Sequence, residues 1–113
     1  MTCTWEDVVA LARELPGVEE STWYRTPALK AGGKGFARLR TEAEGAVMLR
    51  CPMAEKEALL ASGDPAFFTT PHYDGYASIL VDLAKVERTQ LAELVDGAWW
   101  QAAPPKLRTQ REA

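Results

Sequence analysis

The stretch PALKAGGKGFARLRTEAEGAVMLRC, residues 27–51, decides the fold. Pro27 to Ala31 reads as extended, and Gly32-Gly33 marks a tight hairpin turn because glycine tolerates the positive φ such turns require. A second strand runs from about Lys34 to Thr41, Glu42 to Gly45 turn the chain, and Ala46 to Cys51 form a third strand. These connections are too short for parallel crossovers, so the three strands must pair antiparallel.

Period-two alternation assigns faces within this stretch. Ala37 and Leu39 point one way, with Val47, Leu49 and Cys51 as the matching apolar set of the third strand. Phe36, Arg38 and Arg40 are expected on the opposite face, beside Ala46, Met48 and Arg50, while Lys30 and Lys34 flank the glycine turn. If helices cover the apolar face, the other face is a cationic strip with apolar interleaving. Like charges on adjacent strands repel unless something compensates them. Two readings follow: solvated arginines balanced by nearby carboxylates, or arginines that meet phosphates with Phe36 available to a base or sugar.

Outward from the strands, Thr4 and Asp7 make a capping-box-like start, and Val8, Val9, Leu11, Ala12 and Leu15 recur at helical spacing over residues 4–15. Pro16-Gly17 ends that helix, an acidic loop follows, and Trp23 and Tyr24 begin the extended region. On the other side, Pro52 suits a helix entry, and Met53 to Ala61 form a helix with Ala58, Leu59 and Leu60 as its apolar stripe. Residues 66–77, AFFTTPHYDGYA, are aromatic and turn-rich, with a short edge strand around Phe67 to Thr70. Ser78 to Leu83 is a β run, and Glu87 to Ala102 is the closing helix, stopped by Pro104-Pro105. The expected class is α+β in two layers, an antiparallel sheet with helices on one face. Its order is helix, three strands, helix, one or two strands, helix.

The chain has 113 residues and 47% hydrophobic content, enough for one core and too short for two. Residues 1–103 are expected to form that single domain, and 104–113 a basic, flexible tail. No apolar run approaches the roughly 18 residues of a membrane span, and residues 1–15 lack a signal-peptide pattern, so a cytoplasmic, non-membrane protein is expected. Cys3 and Cys51 give neither a disulfide framework nor metal-ligand spacing. The net charge of −3 argues against a protein that coats nucleic acid indiscriminately. That average conceals a reversal: residues 1–24 carry −4, residues 25–50 carry +4, residues 51–103 carry −5, and the tail carries +2.

Four segments in order, LPGVEES at 15–21, TPALKAGGKGFARL at 26–39, FFTTPHYDGYASILVDL at 67–83 and LAELVDGAWWQAAPPKL at 91–107, resemble the MmcQ/YjbR family of small bacterial proteins. The resemblance implies a two-layer fold like that of secretion chaperones and frataxin-type proteins. It also implies a proposed DNA-binding role built on paired wing-like hairpins. Fold analogy alone does not establish function, so the residues themselves must carry the argument.

No catalytic constellation emerges. His72 is the only histidine, so the segment PHYDG offers a turn residue or a lone acid/base with Asp74 two positions away. Cys3, Cys51 and His72 do not make a paired metal spacing, and no cofactor motif is found. Gly32-Gly33-Lys34-Gly35 lacks P-loop spacing and leads into a strand rather than a helix. Trp99 and Trp100 cannot both face inward on one helix. The leading expectation is a non-enzymatic nucleic-acid-binding module using Lys30, Lys34, Phe36, Arg38, Arg40 and Arg50, helped by Lys106, Arg108 and Arg111. The alternative is a protein- or peptide-binding module with a groove formed by Phe68, His72, Tyr73, Tyr76 and Trp100. A monomer is the default expectation for either.

Overall fold

The computed structural model describes residues 2–23, 25–41 and 45–112, which fold as an α+β domain. Helix α1 (Trp5–Ala12) begins in the expected capping box: Asp7 N–H donates to Thr4 Oγ1 and Thr4 N–H donates to Asp7 Oδ2. Strands β1 (Val18–Trp23), β2 (Thr26–Ala31), β3 (Lys34–Thr41) and β4 (Ala46–Arg50) follow. Then come α2 (Met53–Ala61), β5 (Phe67–Phe68), β6 (Ser78–Asp82), α3 (Arg88–Ala102) and α4 (Pro105–Glu112). The six strands form one sheet in the order β1-β2-β3-β4-β6-β5, and every neighbouring pair is antiparallel.

Two elements differ from the sequence expectation. The supposed acidic loop is β1, an edge strand whose Glu19, Glu20 and Thr22 are exposed. Its weak apolar pattern has a physical reason, since an edge strand has little to bury and charge there discourages unwanted pairing. The supposed flexible tail is α4. Its Leu107 side chain fills the space beside Gly17, and Pro104 fills that beside Gly32, both glycines at positive φ. The expected extension at Tyr24 and the turn at Glu42 to Glu44 lie outside the described residues.

The core lies between one sheet face and the helices. Leu29, Ala31, Ala37, Leu39, Val47, Leu49, Cys51, Ile79 and Val81 join Val8 and Ala12 of α1 and Leu91, Val95, Ala98 and Trp99 of α3. Trp99 is fully buried and its indole N–H donates to Pro16 O, whereas Trp100 is half-buried, as the spacing requires. Among the described residues no helix is long and apolar enough to cross a membrane.

Candidate functional site

Strand β3 carries two bulges, and they determine which side chains reach the outer face. Leu29 pairs with Ala37 while Lys30 pairs with Gly35, so Phe36 is an extra residue opposite β2. A bulge re-aims the side chain it inserts. Phe36 is therefore fully buried in the helix-side core beside Ala37, which corrects its expected place on the cationic face. The second bulge falls at Arg40, between the Leu39–Val47 and Thr41–Ala46 pairs.

The remaining cationic face does form. Cross-strand partners share a face, so the pairings define a row across the whole sheet: Ser21, Ala28, Arg38, Met48, Leu80 and Phe68. Ala28, Met48 and Leu80 in this row are buried yet stand outside the helix-side core. They are covered from the other direction, because residues 69–77 fold back over the sheet. Arg38 holds that cover in place: its Nε donates to Trp23 O (3.1 Å) and Thr26 Oγ1 (2.9 Å), and its Nη1 donates to Tyr73 Oη (3.0 Å). The Arg40 guanidinium lies 5.8 Å from the centre of the Tyr73 ring, within cation–π range.

A second clamp acts from below. Lys56 on α2 is 2% exposed, and its Nζ donates to the carbonyl oxygens of Tyr73 (2.5 Å) and Tyr76 (2.8 Å). Sequence reasoning missed this lysine because it sits on a helix predicted to bury Ala58, Leu59 and Leu60. Ala58 is in fact exposed, and the lysine takes the buried position. A lysine can do this when its stem packs and its ammonium finds acceptors, here the backbone of an otherwise loose turn.

Together these contacts border a half-open cavity of about 300 Å³, lined by Trp23, Arg38, Met48, Arg50, His72, Tyr73, Tyr76, Ala77 and Ser78. Arg38 and Arg50 of the basic strip and His72, Tyr73 and Tyr76 of the aromatic segment, expected as parts of alternative sites, line one cavity. The His72 ring meets Tyr73 edge-on at 4.8 Å and Tyr76 at 6.0 Å, and Tyr76 is 60% exposed at the rim. Arg50 Nε donates to Gly35 O, and no carboxylate lies within ion-pair distance of Arg50 among the described residues. Trp23 packs over Gly35, where a Cβ would stand 2.8 Å from the indole, so glycine is required for that contact.

The other expected site residues fall elsewhere. Lys30 shares the outer face, paired with Glu19 on one side and Gly35 on the other. Lys34 pairs with Ala31 at the exposed hairpin tip, on the helix-side parity. Phe68 extends the apolar row beyond Leu80 without lining the cavity. Trp100 is not in the groove. It packs on the helix layer under Arg108, whose guanidinium is 4.9 Å from its ring and whose Nε donates to Trp100 O. Lys106, Arg108 and Arg111 belong to α4 on that layer, where Arg111 pairs with Asp96 at 3.0 Å. His72 and Asp74 share no hydrogen bond among the described residues, and no group of three potential metal ligands occurs among them. Burial pushes the Cys51 thiol up to about 11, so this core cysteine stays protonated at neutral pH.

The sequence model of the YjbR family matches residues 13–101. The chain belongs to this family. Its relatives include the uncharacterized proteins Rv2570 of Mycobacterium tuberculosis and Mb2600 of Mycobacterium bovis, each 32% identical over 119 residues with 92% of both chains covered. Among solved structures, Deinococcus radiodurans protein DR2400, which carries the domain DUF419, superposes with a TM-score of 0.79 at 18% identity. The match covers 96% of this chain and 88% of that one, and shows that the YjbR fold described here is shared.

Proposed function

We propose that the outer sheet face is a nucleic-acid-binding surface. The observation that carries this reading is the convergence of Arg38 and Arg50 with Trp23, His72, Tyr73 and Tyr76 around one cavity on the side of the sheet away from the core helices, with Arg40 against the Tyr73 ring. Guanidinium groups supply donors matched to phosphate oxygens, and aromatic rings supply stacking surfaces for bases. The chain is acidic overall while residues 25–50, which supply these arginines, carry +4, a contrast that steers an anion toward this face.

The test is a Trp fluorescence titration with short single-stranded and duplex oligonucleotides at about 50 and 200 mM salt. Binding that weakens steeply with salt, and that weakens further in a Lys30→Glu/Arg40→Glu variant, supports the reading. No binding at low salt, or binding indifferent to both charges, refutes it. A second reading, a peptide seated against the aromatic segment, is favoured by the exposure of Tyr76 beside His72. Apolar contact of that kind persists as salt rises, so the same titration with a peptide library separates the two.

A further inference from the structure

The cavity also bears on which nucleic acid this face takes, an inference that rests on the nucleic-acid reading above. Ser78 is only 5% exposed and its Oγ has no hydrogen-bond partner among the described residues, yet the residue lines the cavity. A buried hydroxyl without a partner is uncommon in a folded protein and calls for an explanation. Its cross-strand neighbour is Arg50, which lines the same cavity and whose Nε alone is engaged among the described residues, with Gly35 O. Ser78, whose hydroxyl can donate or accept, therefore stands beside a guanidinium rich in donors, and both residues line one half-open recess with Tyr73, Tyr76, His72 and Trp23.

We propose that this cavity takes one unstacked base of a single-stranded nucleic acid, with Ser78 Oγ and Arg50 on the edge of the base and Tyr76 and His72 against its face. Shape makes the choice. Duplex DNA is read by a protein element that protrudes into a groove, and its bases remain stacked inside the helix. A recess on a sheet offers the reverse geometry, which only a base turned out of its stack can fill. The volume of about 300 Å³ lies at the small end of ligand sites, room for one ring system rather than for a helix or a strand of partner protein. A serine hydroxyl bonds donors and acceptors alike, so this floor accepts several bases with modest preference. Lys30 and Arg40 on the surrounding face are placed to meet the flanking phosphates, which position the strand without reading it.

Fluorescence anisotropy tests this with three labelled probes: a short single strand, the same sequence fully paired, and a strand of the same length with abasic positions that keeps its phosphates. The single strand is expected to bind about tenfold tighter than either of the others. Ser78→Val, which replaces the hydroxyl by methyl groups in a residue suited to a strand, and Tyr76→Ala at the exposed rim are each expected to remove most of that difference. Circular dichroism of each variant shows whether it is folded, and Tyr76→Ala carries the test if Ser78→Val is not. Equal binding of all three probes, or a preference untouched by Tyr76→Ala, overturns the base-insertion proposal and leaves the nucleic-acid reading standing. Absence of binding to every probe at low salt overturns both.

Discussion

Replacing Lys56 by methionine should loosen the cover over the cavity and lower the stability of the whole domain. Methionine keeps most of the stem's packing and removes the ammonium that donates to the carbonyl oxygens of Tyr73 and Tyr76. Each charge-assisted hydrogen bond is worth about 1.5–3 kcal/mol. Two opposing effects reduce the total. The buried ammonium no longer has to be stripped of water, and the carbonyls at the surface turn can rehydrate. A net loss of about 2 kcal/mol remains. With an unfolding entropy of about 2.1 cal/mol/K per residue over this chain, that loss lowers Tm by about 8 °C. Thermal unfolding followed by circular dichroism measures the global effect. Hydrogen exchange at the Tyr76 amide, which donates to Tyr73 O, measures the local one. A Tm within about 2 °C of the parent together with unchanged exchange at Tyr76 would falsify the clamp.

Three further outcomes follow from particular residues. Phe36→Ala should cost about 3–5 kcal/mol in urea unfolding, because the ring is fully buried; a cost under about 0.5 kcal/mol would return Phe36 to the outer face and remove the bulge argument. Cys51 ionises near pH 9 in the unfolded chain and near 11 in the folded one, so between those values the unfolded state has lost a proton that the folded state keeps. Stability should therefore fall from pH 9 to 11, and less so in Cys51→Ala; identical slopes for the two proteins would contradict the assignment. Asp7 is held below its ordinary 3.8 by the Thr4 backbone N–H and by Arg88, which it meets at 2.6 Å. Its folded pKa is depressed, so its contribution is present above pH 3.8 and lost as pH falls through the folded value; NMR titration of the carboxylate should show the lowered midpoint, and Arg88→Ala should raise it.

Much of the fold was legible because it rests on local signals. The Gly32-Gly33 turn, the Thr4–Asp7 cap, the apolar spacing of Leu91, Leu94, Val95, Ala98 and Trp99, and the proline pair after it each act within a few residues. Every one stands in the structure. Strand β1 and helix α4 were missed for the opposite reason. An edge strand and a surface helix owe their form to partners distant in sequence, namely β2 for the one and the glycines at 17 and 32 for the other.

The site divides in the same way. Composition and alternation alone determined that basic residues gather between 25 and 50 and that Arg38, Arg40 and Arg50 share a face. They also determined that 67–76 is a separate aromatic segment. Only the tertiary structure decided that these two segments meet at one cavity, because the contacts joining them span long separations: Arg38 to Tyr73 and Lys56 to Tyr73 and Tyr76. It also decided the fate of Phe36. Alternation assumes an unbroken ladder, and a single extra residue in β3 sends that ring into the core, a choice set by pairing with β2 rather than by anything local to Phe36.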